Sequence, residues 1–260
     1  MGSTGTVSND ILDFGLKNLF GFDDLYGKSV MENVEWFNQN SNLSDWNNNL
    51  SREQYDAIRD YVGQGYREIN GRQYKVPWED MSGEWKTKIS NLYNAINTFD
   101  LDEGITVDRA CNFQVFGAKE GETLSVKQIK DFLKQSDGFM QNDGFMSFST
   151  REDGVIVKKN YGVVIKLRVP PSVGAGAYIA PVSPMPSESE FLLNNNSVLK
   201  YDIGSVRKRK DGIIEVTADW VGRSSAQTIS ATYQGTLKKN SSAGDKKATN
   251  NWFKKFLFND

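Results

Sequence analysis

With 260 residues, 38% hydrophobic and 25% charged, and a net charge of −2, the chain can bury a sizeable core but lacks the basic surplus that grips a phosphate backbone. Its single cysteine, Cys111, excludes an internal disulfide and a thiolate metal cluster, and no stretch approaches the roughly 20 apolar residues of a membrane span. Histidine is absent, which removes Ser-His-Asp and Cys-His catalysis, HExxH zinc chemistry and any imidazole base, so an enzyme built on this chain must work with carboxylates, arginines and hydroxyls.

Residues 1–45 are rich in Asn, Asp and Gly and read as an N-terminal extension, with an amphipathic helix expected around Ile11, Leu12, Leu16, Leu19 and Phe20. No basic region followed by an apolar run opens the chain, so no secretion signal is read there. Gly21, Gly27, Lys28 and Ser29 approximate a phosphate-binding loop with one spacer too many and no preceding strand. Ser51-Arg-Glu-Gln54 is a capping box, and behind it Tyr55, Ile58, Val62, Tyr66 and Ile69 recur at helical spacing. Gly63-Gln-Gly65 lies inside that pattern and has no third glycine at the dinucleotide-binding spacing. Further helices are predicted around Trp85, Ile89, Leu92, Tyr93 and Ile96, and around Val126, Ile129, Phe132 and Leu133 behind Ser125-x-x-Gln128.

From about residue 100 the period becomes that of strands: 105–109, 144–149, 165–169, 176–179, 188–193, 213–220 and 228–237. The basic cluster Arg207-Lys-Arg-Lys210 before Asp211-Gly212 reads as a solvated hairpin. Residues 238–249 read as a polar linker, and 252–258 as a short docking helix. Helices first and strands afterwards predict an α+β fold, with one main domain over 46–237 and a tail over 238–260.

One strand-like run carries an unusual pair of acids. Glu188 and Glu190, two residues apart in a strand, would point to the same face about 6.5 Å apart, and strands ordinarily avoid such pairs. Their setting is specific. Arg109 ends a strand, Ser147-Phe-Ser149 forms another, and Glu188-Ser-Glu190 follows a turn. Tyr61-Val-Gly-Gln-Gly-Tyr66-Arg-Glu-Ile-Asn70 precedes them, and Gly176-Ala-Tyr-Ile179 and Glu190-Phe-Leu-Leu193 flank the turn. In this order the segments resemble the arginine–serine–glutamate clade of mono-ADP-ribosyltransferases, which includes clostridial exoenzymes, binary actin-modifying toxins and phage enzymes. The resemblance spans about residues 48–220.

It implies N-terminal helices packed on a two-sheet mixed or antiparallel β core, and an enzyme that moves ADP-ribose from NAD, its substrate, onto an arginine of a target protein without a metal. On this resemblance Glu190 stabilises the ribose cation and holds its 2′-hydroxyl, and Glu188 orients and deprotonates the acceptor guanidinium. Arg109 binds NAD phosphate or ribose, and Ser147 supports Glu190 or the ribose. Ser149, Tyr66, Asn70 and Gln114 are implied NAD-pocket contacts, and Met185, on the proline-rich turn before Glu188, is implied with Glu188 in target recognition. Ala110 stands where many binary toxins carry a second arginine. The window 154–159 has no aromatic to stack on nicotinamide, leaving Phe148 or Tyr161. The acceptor is an arginine-bearing protein, actin among the candidates; nucleic acid is not expected, and a monomer working in a cytoplasm is. An NAD glycohydrolase and a non-catalytic binding module on the same fold stand as alternatives.

Overall fold

The capping boxes read from the sequence both form. In the computed structural model, which describes residues 41–151 and 161–224 together with Phe37 and Gln39, the Ser51 hydroxyl accepts from the Gln54 amide while the Gln54 side chain accepts from the Ser51 amide. This reciprocal pair opens helix α2 (Arg52–Asp60), which follows α1 (Ser41–Asn49). Helices α3 (Tyr66–Lys75), α4 (Gly83–Asn97) and α5 (Val126–Lys134) follow, the last opened by the matching Ser125–Gln128 box. The readings made for residues 11–20, 21–29, 154–159, 228–237, 238–249 and 252–258 lie outside the described residues.

The pattern from Tyr55 to Ile69 is continuous helix, but not uniform helix. Tyr61–Gly65 widens into a π-turn between α2 and α3. Gly65 permits it: a Cβ there would lie 2.8 Å from the Asp60 carbonyl oxygen. The wide turn changes the phase of the helix, so Tyr61 is buried while Tyr66 is exposed.

Eleven strands are described: β1 (Asp100–Leu101), β2 (Ile105–Cys111), β3 (Phe139–Asn142), β4 (Met146–Ser149), β5 (Val163–Val169), β6 (Ser172–Val173), β7 (Gly176–Tyr178), β8 (Glu190–Leu193), β9 (Ser197–Tyr201), β10 (Arg207–Lys208) and β11 (Ile214–Arg223). Nine join in one mixed sheet, eight in the order β3-β9-β11-β5-β2-β4-β8-β7 with β10 on the side of β11, while β1 and β6 pair separately. The β2–β5 and β11–β5 ladders are long, the first antiparallel and the second parallel. By contrast β2 and β4 share one residue pair, Asp108 opposite Ser149. The sheet is therefore two pieces, β3-β9-β11-β5-β2 and β4-β8-β7, hinged at that pair. Helices on a mixed, multi-strand β core agree with the α+β expectation.

The core unites both pieces and the helices, through Ile58, Ile69, Leu92 and Ile96 from the helices and Val107, Ile165, Leu167, Phe191 and Val216 from the strands. Phe37 and Leu43, upstream of residue 46, belong to the same cluster. The Trp46 indole N–H donates to the Ala95 carbonyl at 2.8 Å and its ring meets Phe99 edge-on, which fastens α1 to α4. The basic hairpin forms as expected, with β10 antiparallel to β11. Glu215, almost fully buried, holds Arg207 at 2.6 Å, with Lys166 at 3.7 Å and Arg209 at 3.9 Å.

Candidate active site

The hinge between the sheet pieces is where the polar residues gather. Across it Asp108 on β2 faces Ser149 on β4, and Ser149 faces Glu190 on β8. Beyond that single pair the ladder lapses, and the Arg109 guanidinium takes the Ser147 carbonyl as acceptor at 2.8 Å, where a backbone amide would otherwise have been. Among the described residues this is the one hydrogen bond Arg109 makes, which leaves most of a guanidinium's five donors for a ligand.

Glu188 and Glu190 do not share a strand, contrary to the alternation argument. Pro186–Glu188 is a 3-10 turn, Ser189 is left-handed at φ 46°, and the strand begins only at Glu190. Proline at the first position of the turn and the reversal at Ser189 override the extended reading. The two acids consequently differ in environment: Glu190 is 5% exposed and Glu188 lies open to solvent. The turn is pinned to β4. The Ser149 hydroxyl donates to the Glu188 carbonyl at 3.0 Å, and the Thr150 amide and hydroxyl both donate to the Ser189 carbonyl at 3.0 and 3.2 Å.

Burial pushes the Glu190 carboxyl up to about 7, against the hydrogen bond from Ser147 and the Arg109 charge, which pull it down, and with the Glu188 charge, which pushes it further up. Ser147 and Glu190 lie on one face of the β4–β8 pair, as diagonal neighbours, since Ser149 is opposite Glu190 and Ser147 opposite Leu192. The buried Tyr61 and Tyr74 phenols are raised mainly by burial, and both feel the Arg109 charge, so Arg109 faces neutral hydroxyls.

The structure brings together Arg109, Ser147, Glu188 and Glu190. The other implied contacts are placed differently. Asn70 lies within α3, where its side chain amide donates to the Phe145 carbonyl and the Tyr61 hydroxyl, each at 3.1 Å, and its oxygen accepts from the Phe145 amide at 3.0 Å. It clamps the helix to the chain entering β4. Ser149 is occupied with the Glu188 carbonyl and the Arg151 amide. Tyr66 is exposed with Arg67 over its ring, and Gln114 exchanges hydrogen bonds with Asn112 in a 3-10 turn (Phe113–Phe116). Met185 is 48% exposed at the head of the turn. Phe148 is buried in the core and offers no open face for stacking. Tyr61, which opens the Tyr61–Asn70 motif but had no site role assigned from the sequence, donates its hydroxyl to the Phe145 carbonyl at 3.2 Å, and its phenol feels both Glu190 and Arg109. The glycines Gly63 and Gly65 were the available signal for the turn that swings it inward.

A family model described as ADP-ribosyltransferase exoenzyme matches residues 35–220. The chain belongs to that family. Among curated proteins, the chain is similar to the NAD(+)–arginine ADP-ribosyltransferase EFV of Enterococcus faecalis, at 28% identity over 211 residues, 75% of this chain and 39% of that protein. It therefore spans well under half of that relative's length. In fold it is similar to Plx2a, an ADP-ribosyltransferase toxin from Paenibacillus larvae, with a TM-score of 0.62 and 18% identity over 74% of this chain and 96% of the other. The ADP-ribosylating toxin BECa of a binary enterotoxin of C. perfringens, solved with NADH, aligns with a TM-score of 0.58 and 21% identity over 75% of this chain and 49% of that one. No helix among the described residues is long and apolar enough to cross a membrane, and no cluster of three or more metal-ligating side chains is found among them.

Proposed function

We propose that this ADP-ribosyltransferase moves ADP-ribose from NAD onto an arginine of a target protein, as a toxin or effector or as a phage enzyme that modifies its host. The observation that carries the proposal is the buried Glu190 carboxyl at the hinge of the sheet, on one face with Ser147 and within the field of Arg109, whose guanidinium holds the Ser147 carbonyl. Membership of the family and the named activity of the Enterococcus faecalis relative support it. The catalytic unit is proposed to cover residues 46–237.

In this reading Arg109 anchors a phosphate or ribose oxygen with its planar fork. The bond between ribose C1′ and the nicotinamide nitrogen breaks, and its electron pair leaves with nicotinamide. Positive charge develops on the ribose, as in glycoside hydrolysis. Glu190, desolvated and therefore electrostatically strong, stabilises that charge. Glu188, open to solvent beside Met185, meets the acceptor: a guanidinium nitrogen attacks C1′ and its surplus proton passes to the Glu188 carboxylate. Ser149 serves by holding the Glu188 carbonyl, and Asn70 by holding Phe145. Tyr66 and Gln114 are proposed at the NAD rim.

The test is to incubate the protein with labelled NAD and a cell lysate, with actin as the first purified acceptor. Wild type should label protein arginine. Glu188→Gln should lose transfer yet still hydrolyse NAD, and Glu190→Ala should lose both. Arginine transfer that survives Glu188→Gln would remove the role given to Glu188. NAD cleavage that never labels protein would favour a glycohydrolase.

A further inference from the structure

The two pieces of the sheet meet at a second joint besides the Asp108–Ser149 pair. Laid flat, the strand order would separate β3 from β4 by about 24 Å, yet the chain from Asn142 to Met146, which spans at most about 14 Å, connects them. The sheet must therefore curl until the end of β3 meets the start of β4. Residues 194–196 make the same crossing the other way, from β8 to β9. The ladders on either side keep one register: Asn142 lies opposite Ser197 in β3–β9, and Met146 opposite Leu193 in β4–β8. Strands β3 and β4 thus pair with β9 and β8 as one antiparallel ribbon, bent at 143–145 and 194–196.

Each side of the bend is fastened to a helix by side chains. On the first side the Tyr74 hydroxyl of α3 donates to the Asn142 side-chain carbonyl at 2.8 Å, and the Asn142 amide donates to the Gly144 carbonyl. Gly144 leaves room for this: a Cβ there would lie 2.6 Å from the Tyr74 hydroxyl oxygen. On the other side Arg223, at the end of β11, donates to the Asn195 carbonyl at 2.9 Å and to its side-chain oxygen at 3.0 Å. The same guanidinium reaches α4, donating to the Tyr93 hydroxyl at 3.1 Å and the Asn97 side chain at 3.2 Å, and lies 4.5 Å from the centre of the Tyr93 ring.

We infer that Tyr74 and Arg223 are positioning residues that set the angle of this bend, and with it the spacing between Arg109 on the larger piece and Glu190 on the smaller. The inference rests on the roles proposed above for Arg109 and Glu190. One backbone pair and the Arg109 guanidinium on the Ser147 carbonyl cross between β2 and β4, too few bonds to fix an angle by themselves. The angle is therefore decided at the ribbon. NAD must engage Arg109 and Glu190 at once, and a displacement of about 1 Å between groups acting on one substrate can cost about a hundredfold in rate. Loosening the bend leaves each group intact and spoils their relation.

The experiment measures NAD hydrolysis and arginine transfer in wild type, Tyr74→Phe, Arg223→Lys and Trp46→Phe, with thermal unfolding beside them. Tyr74→Phe loses only the hydroxyl, and Arg223→Lys keeps the charge but loses the fork. In both, Asn70 still holds the Phe145 amide, and the Asn194 and Ser224 amides still donate to the Ala175 and Asn196 carbonyls at 2.8 Å, so the bend relaxes without unfolding. Each variant should lower kcat for hydrolysis and transfer together, by about three- to thirtyfold, with KM for NAD within about twofold of wild type. In an Arg109→Lys background, where the fork that ties NAD to β2 is gone, Tyr74→Phe should change kcat by less than about twofold. Trp46→Phe removes the bond to the Ala95 carbonyl, away from the bend, and should lower the unfolding temperature with kcat unchanged. Unchanged kcat in either folded bend variant overturns the inference, as does a raised KM alone, or a loss that adds in full to that of Arg109→Lys. If wild type neither transfers nor hydrolyses, or if Glu190→Ala still hydrolyses, the functional reading itself fails and takes the inference with it.

Discussion

The sharpest prediction concerns the acidity of Glu190. Its carboxyl is pushed up to about 7, chiefly by burial, with Ser147 and Arg109 opposing and Glu188 assisting. If the ionised form stabilises the ribose cation, kcat/KM for NAD cleavage must fall on the acid side with a midpoint near that value, since kcat/KM reports the free enzyme. Ser147→Ala removes a hydrogen bond to a charged group, worth about 1.5–3 kcal/mol, which at 1.36 kcal/mol per unit raises the midpoint by about one to two units. Glu188→Gln removes a like charge that is exposed and screened, worth about 1 kcal/mol or less, and lowers the midpoint by about half a unit. Hydrolysis without acceptor, followed from pH 5 to 9, reads all three proteins. The opposite signs make the test strict. An acid limb near the ordinary carboxylate value of about 4.3, or a Ser147→Ala limb that moves down, would refute the reasoning.

Glu190 also burdens the fold. The folded protein binds the Glu190 proton more tightly than the unfolded chain, so between about 4.5 and about 7 unfolding releases a proton and stability falls as pH rises, by about 3 kcal/mol in all; urea unfolding of Glu190→Gln should show a correspondingly flatter pH dependence across that window. Arg109→Lys keeps the charge but loses the fork that reaches the Ser147 carbonyl and an incoming phosphate, and NAD titration should show affinity reduced by about ten- to a hundredfold. Asn70→Ala strips three hydrogen bonds from Tyr61 and the Phe145 backbone, so thermal unfolding should report a loss of about 1–3 kcal/mol. Undiminished stability together with a raised KM for NAD would instead make Asn70 a ligand contact.

Legibility from sequence followed the range of the interaction. The starts of α2 and α5 could be read because a capping box is four residues long and satisfies itself, as Ser51–Gln54 and Ser125–Gln128 do. The strand β5 was recognisable from the clean alternation over 165–169. The order of Arg109, Ser147 and Glu190 along the chain was visible, and folding brings them to one hinge. Strands β3 and β9 escaped notice, because Phe139–Asn142 and Ser197–Tyr201 carry little periodicity of their own and are specified by pairing with each other. The phase change at Tyr61–Gly65 was hidden for another reason: one extra residue in a helical turn leaves the apolar spacing almost intact while moving Tyr61 inside. At Glu188 a period-two argument met a proline-led turn and failed, although the acids still converge on one site.

The single backbone pair joining β2 to β4 has a consequence for where precision comes from. In most sheets the distance between functional groups on adjacent strands is set by many main-chain bonds acting in parallel. Here one pair does that duty, and the spacing of the arginine from the glutamate is underwritten by lateral fastenings: the guanidinium on the Ser147 carbonyl, and the helix-borne amide and phenol on Phe145. Tolerances at the site are thus inherited from the helices packed against it, and substitutions along the inner face of α2 and α3 will register as altered chemistry.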